Sequence, residues 1–373
     1  MPLAGQFCHT KEEALTADLI PLNWLTCQHC GLVQVMEDVN EEVLFRNYNY
    51  ASSTVSGLVH HFEEYASKLR SIYQHLQPRF LEIGCNDGVL LRRLPREWEK
   101  CGVDPSDIAQ SSHLQGTTRS YELVSAPFNT QLVSRQQWMG KWDVISGSNC
   151  LAHISNLKDV FEGVALALRQ GGEFWVEVHD LAALLKGNQW DTIYHEHKVE
   201  WSLDSLTHCL GLMGFRRMSY ERIPMHGGAL RVRFKKGNPH HQRTSPASAY
   251  ASSIASLKRA YECRYQHPSV QQLRSVIDRG GRIAAYGAAG RANVYLNQML
   301  DLPFAWIVDE APLRVGKFLP RVGTPVVSAE RLISDPPDHC LITAWNYRRD
   351  IQSKNPHYTG TWLTAFDLQE QTP

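Results

Sequence analysis

Residues 79–94 read RFLEIGCNDGVLLRRL, and this stretch decides the fold class. It begins with an apolar run typical of a buried strand, continues through a turn that contains Gly84 and Gly88, and ends in an apolar segment that predicts a helix. Glycines in such a turn let a ligand approach the backbone closely, and a helix that follows offers unpaired N–H groups. The segment therefore predicts the first strand–turn–helix unit of an α/β domain that binds a cofactor.

The same alternation continues toward the C-terminus. Further apolar strands are predicted within CGVDPS (101–106), KWDVISGSNCLAHI (141–154) and GGEFWVEVHD (171–180). A second cycle begins with GGRIAAYGAAGRANVYLNQML (280–300) and continues with FAWIVDEAP (304–312) and HCLITAWN (339–346). This alternation predicts an α/β protein with a central doubly wound, mostly parallel sheet and a second, Rossmann-like sheet at the C-terminal end.

The N-terminal part has a different character. Residues 1–40 lack helical periodicity and carry CQHCGLVQV (27–35), a Cys-x-x-Cys turn that runs into an apolar strand, so we predict a small knuckle here. Between residues 49 and 76 the large apolar residues recur at spacings of three and four, which predicts an amphipathic helix. We therefore divide the chain into an N-terminal knuckle (1–48), a central domain (49–240) and a C-terminal domain (241–373).

Composition narrows the functional class. The 373-residue chain carries 38 Lys and Arg against 38 Asp and Glu, so its formal net charge is zero, and this argues against a dedicated nucleic-acid binder. The first residues lack the pattern of a secretory signal, and no apolar stretch is long enough to cross a bilayer. Nine dispersed cysteines indicate reduced thiols. We expect a cytoplasmic enzyme that acts on a small molecule, without nucleic-acid or membrane partners.

The turn in residues 79–94 also selects among cofactors. NAD-binding turns follow the pattern G-x-G-x-x-G, which Gly84 and Gly88 do not match. The acid-x-Gly-x-x-x-Gly pattern that begins at Glu82 is typical of enzymes that use S-adenosylmethionine (SAM). Asp104, at the end of the next predicted strand, is placed to hold ribose hydroxyls. A tight structural turn without a cofactor is the alternative interpretation.

Residues 191–197, DTIYHEH, form the second signal. On a helical turn Tyr194 and His197 would share one face, and Asp191 and His195 another. A histidine can take a proton from a carbon acidified by a neighbouring ketone, and a tyrosine hydroxyl can hold the resulting enolate oxygen. A metal site and an exposed polar loop are the competing interpretations. The spacing of His-Glu-His differs from the helix-borne zinc motif, and the flanking apolar residues disfavour an exposed loop.

A third cluster is His226-Gly227-Gly228, which precedes an apolar strand. The glycine pair predicts either a simple β-bulge or a turn that brings His226 and backbone amides next to the reacting centre. The sequence leaves both possibilities open.

The Cys-x-x-Cys turn is a candidate metal site. Cys27 and Cys30 supply two thiols, which is half of the ligand set of a structural zinc site. Cys8 and His9 are the nearest candidates for the remaining ligands. Two buried thiols without zinc are the alternative.

Together these segments resemble the sugar C-methyltransferases of deoxysugar biosynthesis. The similarity runs along essentially the whole chain, through CGLVQV (30–35), YNYASS (48–53), EIGCNDG (82–88), NCLAH (149–153), DTIYHEH (191–197), HGGALR (226–231), YGAAGRANVYLN (286–297) and VDEAPLRVGKFLP (308–320). The resemblance implies an N-terminal zinc-binding piece, a central SAM-methyltransferase domain and a C-terminal Rossmann-like domain that helps to hold a nucleotide sugar. The knuckle of that family begins with a further Cys-x-x-Cys pair that this sequence does not contain, so zinc at Cys27 and Cys30 stays an open question.

The resemblance also implies roles for individual residues. It assigns proton transfer to Tyr194, Glu196 and His197, with His197 as the base, and we add His195 and His226 as further catalytic candidates. The candidate SAM-binding residues are Tyr50, Ser53, Glu82, Gly84, Asn86, Gly88, Asp104 and Asn149. The candidate nucleotide-sugar residues are Tyr286, Gly287, Arg291, Asn293 and Lys317.

The reaction that the resemblance implies is methylation of the carbon next to the ketone of a nucleotide-linked 4-keto-deoxysugar. Two alternatives are kept: O- or N-methylation of a sugar or another small metabolite, and a non-catalytic binding protein that retains the SAM fold. The sequence does not specify the oligomeric state.

Overall fold

The computed structural model describes residues 1–45, 51–115, 120–237 and 250–366. The central sheet contains β3 (Phe80–Ile83), β4 (Lys100–Val103), β5 (Glu122–Val124), β6 (Trp142–Ser148), β7 (Leu168–His179), β9 (Phe215–Ile223) and β10 (Ala229–Lys236). Their order across the sheet is β5-β4-β3-β6-β7-β10-β9. The strands from β5 to β7 run parallel, and β10 and β9 are antiparallel additions at one edge. Every residue of β3 and β4 is buried, as expected for parallel strands covered on both faces.

A second parallel sheet forms the C-terminal part of the molecule. It contains β11 (Ile283–Tyr286), β12 (Ile307–Val308), β13 (Val326–Val327), β14 (His339–Ile342) and β15 (Thr361–Thr364). Their order is β13-β12-β11-β14-β15, and every neighbouring pair is parallel. The two α/β cycles predicted from the sequence are therefore confirmed.

The N-terminal strands form a third, small sheet. It joins β1 (Trp24–Thr26) and β2 (Val33–Val35) to β8 (Val199–Glu200), which follows directly on the DTIYHEH segment. Lys198, at the entrance to β8, is buried and forms an ion pair with Asp38. The knuckle therefore packs against the chain that leaves residues 191–197 and fixes its path.

Thirteen α-helices connect and cover the described strands: α1 (Lys11–Leu15), α2 (Glu41–Phe45), α3 (Ser56–Ile72), α4 (Asp107–Gln115), α5 (Thr130–Arg135), α6 (Leu157–Ala167), α7 (Leu181–Lys186), α8 (Leu203–Leu212), α9 (Ala251–Glu262), α10 (Pro268–Asp278), α11 (Gly290–Asn297), α12 (Arg331–Ser334) and α13 (Arg348–Lys354). The predicted amphipathic helix is α3. In the part of the chain that the structure describes, no helix is long and apolar enough to span a membrane.

The prediction of a helix directly after Gly88 is wrong. The chain makes only a 3-10 turn at Leu91–Arg93, and Leu94 returns to an extended conformation. Pro95 follows, and a proline disfavours helical backbone in the residue before it. The same face of the sheet is covered instead by α3, whose buried apolar residues pack with Leu90 and Leu91.

A buried ionic network anchors α3 to the sheet. His61, on α3, donates a hydrogen bond of 2.8 Å to Glu177 on β7, and Arg231 on β10 forms an ion pair with the same carboxylate. Burial opposes ionisation of Glu177, but the hydrogen bond from His61 and the charge of Arg231 outweigh it and lower the pKa of this carboxyl. The carboxylate therefore holds a helix and two strands together.

The C-terminal sheet shares its apolar core with the other parts of the chain. One cluster combines Ala4 from the N-terminus, Trp190 and Tyr194 from the central region, and residues of β11, α11 and β14. Asn293 on α11 is fully buried and donates a hydrogen bond of 3.0 Å to the Ala4 carbonyl. This shared core holds the DTIYHEH segment against the start of α11.

Candidate active site

The glycine turn after β3 is held in a compact conformation. Gly84 and Gly88 have φ values of +68° and +74°, which favour glycine. A Cβ at Gly84 would lie 2.6 Å from the Cys150 side chain, and a Cβ at Gly88 would overlap the Tyr121 hydroxyl. Asn86, between them, also has a positive φ of 47°, which asparagine tolerates better than most residues. The turn thus keeps its backbone open to a ligand on one side.

Polar groups surround this turn. Asp104, which follows β4, accepts hydrogen bonds of 2.8 Å from the backbone N–H groups of Asn86 and Ser106. The backbone N–H of Ser53 donates to Asp87 over 2.9 Å and brings the segment before α3 to the same edge. The structure therefore brings together most of the predicted SAM-binding residues, while Tyr50 lies outside the described residues.

Two of these residues carry buried oxygen atoms that have no partner in the described part of the chain. Among the described residues, neither Glu82 Oε2 nor Asn149 Oδ1 has a hydrogen-bond partner. Burial, and then the nearby Asp104 charge, raise the pKa of Glu82 well above its usual value. Such orphaned acceptors beside an open glycine turn suit a ligand that carries hydroxyl and amino donors. The residues present therefore fit SAM.

A cleft of about 350 Å³ lies between the central and C-terminal sheets. Asn149 reaches it from the SAM side, and Tyr286, Gly287 and Arg291 reach it from the C-terminal sheet. The predicted catalytic residues on its wall are Tyr194, Glu196, His197 and His226. One cleft is therefore lined by candidate SAM-binding, catalytic and nucleotide-sugar residues.

Tyr194 and His197 form a hydrogen-bonded pair on the cleft wall. His197 Nδ1 lies 2.8 Å from the Thr192 carbonyl oxygen, which can only accept, so Nδ1 carries the proton. His197 Nε2 therefore carries a lone pair, and it accepts a hydrogen bond of 3.0 Å from the Tyr194 hydroxyl. Burial lowers the pKa of the His197 imidazole to about 4, so the neutral form is favoured. This arrangement presents a neutral base next to a hydroxyl donor.

Three further histidines surround His197. The ring centroids of His153 and His179 lie 5.1 and 4.9 Å from that of His197, and His226 lies 5.6 Å from His179. Burial lowers the pKa of His153 to about 3 and that of His226 to about 4. The base is therefore enclosed by neutral imidazoles. No sequence pattern indicates a role for His153 or His179, although His153 lies in a segment that carries the resemblance.

Glu200 lies behind the same histidines. Its carboxyl group is 3.5 Å from His197 Nδ1 and 3.9 Å from His179 Nδ1. Burial raises the pKa of Glu200 to about 8. No sequence pattern indicates a role for Glu200, because a glutamate in a short strand belongs to no motif.

Arg291 joins the C-terminal domain to the DTIYHEH segment. Its guanidinium donates hydrogen bonds of 2.8 and 3.2 Å to Asp191 and one of 3.0 Å to the His226 carbonyl, and it stacks on Trp345. Asp191 was expected to share a helical face with His195, and this expectation is wrong because the segment forms a 3-10 turn at Trp190–Thr192 and not a helix. His195 turns away from the cleft and bonds to the Pro21 carbonyl over 2.7 Å.

The remaining predicted residues fall in different places. Glu196 lines the cleft, and burial raises the pKa of its carboxyl to about 7. His226 has a positive φ of 52° in the turn between β9 and β10. Asn293 is buried in the shared core, and neither Asn293 nor Lys317 lines the cleft. Asp309 and Glu310, which follow β12, do line the cleft, and the sequence patterns did not identify them as site residues.

The Cys-x-x-Cys turn has one further thiol beside it. Cys209, on α8, lies within hydrogen-bonding reach of Cys30. Cys8, expected as a possible ligand, pairs through its backbone with Phe318 instead. In the described ranges, no group of three or more potential metal ligands close enough to share an ion includes Cys27 or Cys30. Zinc at Cys27 and Cys30 therefore stays a prediction.

Comparison with known proteins gives matches along most of the chain. Residues 50–219 match the family model of a methyltransferase domain, and residues 224–366 match that of a C-methyltransferase C-terminal domain. The C-methyltransferase NovU of Streptomyces niveus is 27% identical over 369 residues, which cover 94% of this chain and 86% of that protein.

Solved structures show more distant similarity. A 1,6-didemethyltoxoflavin-N1-methyltransferase from Burkholderia thailandensis, with bound 1,6-didemethyltoxoflavin and S-adenosylhomocysteine, is 14% identical; the match covers 59% of this chain and 100% of that one, with a TM-score of 0.39. The PH0226 protein of Pyrococcus horikoshii is 17% identical, with 51% and 97% covered and a TM-score of 0.41.

Proposed function

Because the chain is a SAM-dependent C-methyltransferase, we propose that it methylates the carbon next to the ketone of a nucleotide-linked 4-keto-deoxysugar. The observation that carries this proposal is the Tyr194–His197 pair on the wall of the cleft. A carbon next to a ketone becomes a nucleophile only when a base removes its proton and a donor stabilises the resulting enolate oxygen. Transfer to a hydroxyl oxygen would need the base alone.

The proton moves from the substrate carbon to His197 Nε2. The Thr192 carbonyl keeps the other proton of the ring on Nδ1, so Nε2 is the nitrogen that can accept. The Tyr194 hydroxyl occupies the Nε2 lone pair in the free protein, so it must first turn to the ketone oxygen of the bound substrate. This movement frees Nε2 to take the proton and places the hydroxyl as the donor to the enolate oxygen that forms.

The glycine turn and its neighbours would hold SAM. When bound, SAM supplies an electrophilic methyl group. Gly84 and Gly88 allow close approach to the backbone, and Asp104 is placed at the end of the neighbouring strand to accept from ribose hydroxyls. Asn149 belongs both to the edge of this turn and to the cleft, so it would orient the cofactor toward the substrate.

The start of α11 would hold the nucleotide portion of the substrate. Its N-cap, Ala289, has no side-chain capping bond, and Ala289, Gly290 and Arg291 line the cleft. The unpaired amides of a helix N-terminus, next to a guanidinium, suit a diphosphate group. Tyr286 and Gly287 would complete the nucleotide-binding wall of the cleft. Asn293 and Lys317 have no role in this proposal.

The domain division also belongs to this proposal. We place the boundaries at residues 48 and 240, because β9 and β10 pair with β7 and so complete the central sheet before the chain crosses to the C-terminal one. The nucleotide sugar would then lie between the two larger domains.

The test follows the substrate α-proton by NMR in heavy water without SAM, using a 4-keto-6-deoxy nucleotide sugar. We expect exchange in the unaltered protein, loss of exchange in His197→Ala, and no loss in His75→Ala, which removes an exposed histidine. Carbon-13-labelled methyl groups from SAM should then appear on carbon. No exchange with several keto-sugars, or a methyl group on oxygen or nitrogen, would favour an O- or N-methyltransferase instead.

A further inference from the structure

His179, His197 and Glu200 form a compact cluster at the inner end of the cleft. One ligand atom from each lies within 4.8 Å of the other two. His179 ends β7, while His197 and Glu200 flank and end β8, so two different sheets bring the three side chains together. Two imidazoles and one carboxylate are a ligand set that first-row divalent metals use.

Two of the three side chains, Glu200 and His179, carry buried atoms that have no hydrogen-bond partner among the described residues. Glu200 is 2% exposed, and among the residues that the structure describes neither of its carboxylate oxygens has a hydrogen-bond partner. His179 Nδ1 is likewise buried without one within the same ranges. Buried polar groups without partners are costly, and such groups often indicate a missing ion or water. The Glu200 carboxylate and His179 Nδ1 can supply electron pairs, and His197 Nδ1 can do so once its proton moves to Nε2, so a cation can satisfy the three groups together.

We propose that His179, His197 and Glu200 form a binding site for a divalent transition-metal ion such as Zn²⁺. The ion is held by Nδ1 of each histidine and by the Glu200 carboxylate, and a fourth position is left toward the cleft that His179 lines. Ligand atoms around tetrahedral zinc lie about 3.3 Å apart, as follows from bonds of roughly 2.0–2.1 Å. Side-chain movements of about an ångström therefore suffice to close the site.

Metal binding and enolate formation exclude each other at His197. Metal on Nδ1 displaces the bond to Thr192 and moves the ring proton to Nε2, where it donates to the Tyr194 oxygen. Nε2 then has no lone pair for a substrate proton. This consequence rests on the proposed function, whereas the metal site itself does not. The cluster would make the enzyme sensitive to free zinc.

The binding test is a titration of the full-length, metal-free protein with Co²⁺, followed by visible absorption. We expect d–d bands of a nitrogen- and oxygen-ligated ion without thiolate charge transfer. Glu200→Gln and His179→Gln should each weaken binding about 100-fold or more, since loss of an outer partner alone costs about 10–100-fold. Cys27→Ser is the matched control that removes one thiol of the competing Cys-x-x-Cys pair, and it should leave the spectrum unchanged.

SAM binding and circular dichroism establish that each variant is folded, and the two ligand variants test the site independently. Absence of Co²⁺ binding, or a thiolate spectrum that disappears in Cys27→Ser, would overturn the metal site. In proton exchange, Zn²⁺ should inhibit the unaltered protein, and each ligand variant should lose this inhibition relative to its own metal-free rate. If the unaltered protein shows no exchange at all, the proposed reaction fails while the Co²⁺ spectrum still decides the metal site.

Discussion

Replacing Gly290 by alanine should separate catalysis from stability. Gly290 begins α11 and faces Tyr194 from the C-terminal domain. Its φ is not in the left-handed region, so alanine can adopt the same backbone, and alanine is favoured over glycine in helices by up to about 1 kcal/mol. The added Cβ would, however, lie 3.0 Å from the Tyr194 hydroxyl oxygen and 3.1 Å from two of its ring carbons.

The size of the effect follows from this contact. The 3.0 Å distance is about 0.4 Å shorter than the 3.4 Å at which ordinary contacts begin, so the Tyr194 ring must move by that amount relative to His197. A misplacement of about 1 Å can cost roughly 100-fold in rate. On a logarithmic scale, about 0.4 Å corresponds to a loss of roughly sixfold. We therefore expect a melting temperature that is unchanged or raised, together with a sixfold slower reaction.

The assays are α-proton exchange, methyl transfer, SAM affinity and thermal unfolding. Gly211→Ala is the control, because a Cβ at this helical position meets no atom within 4 Å and should leave the rate unchanged. In a Tyr194→Phe chain, Gly290→Ala should cost nothing further, since the hydroxyl is already lost. A wild-type rate in Gly290→Ala, or a further loss on the Tyr194→Phe background, would refute the idea that the position of Tyr194 limits the reaction.

Three further predictions concern the cofactor turn and two buried carboxylates. Gly88→Ala should raise the dissociation constant for SAM, measured by calorimetry, by roughly 5–30-fold, because the left-handed backbone alone costs alanine about 1–2 kcal/mol. Asp191→Asn should lower the free energy of unfolding in denaturant by about 3 kcal/mol, because Arg291 loses its charged partner in a mostly buried site. The pKa of Glu177 lies below the usual 4.5, so this carboxylate stabilises the fold above pH 4.5. The contribution is lost as the pH falls through the folded pKa. Glu177→Gln should therefore flatten the acid side of a plot of melting temperature against pH.

Each of these predictions has a matched comparison. Gly140 also has a positive φ, but a Cβ there meets no atom within 4 Å, so Gly140→Ala should leave SAM affinity unchanged. Adding Arg291→Gln to Asp191→Asn should restore part of the lost stability, because neither charge is then left alone. An acid profile of Glu177→Gln that matches the unaltered protein would show that this carboxylate does not control acid stability.

The sequence by itself determined the features that depend on local spacing. The alternation of apolar runs and turns predicted a mostly parallel central sheet and a second parallel sheet at the C-terminal end, since strands covered on both faces need continuous apolar segments. The same is true of the Tyr194–His197 pair: residues three apart meet in a tight turn, and they do so here although the turn is not helical. The glycine turn after β3 was also correctly placed.

Only the tertiary structure decided which distant groups meet. Arg291 reaches Asp191, His179 and Glu200 close around His197, and Cys209 rather than Cys8 lies beside Cys30. Sequence periodicity predicts which face of a helix or strand is buried. Strand order and the packing of one sheet against another determine which residues that face contacts.

The helix expected after Gly88 failed for a similar reason. α3, from an earlier part of the chain, covers that face of the sheet instead, so the apolar pattern was satisfied without a helix. A sequence pattern predicts that a residue is buried, but only the packed fold decides which element covers it.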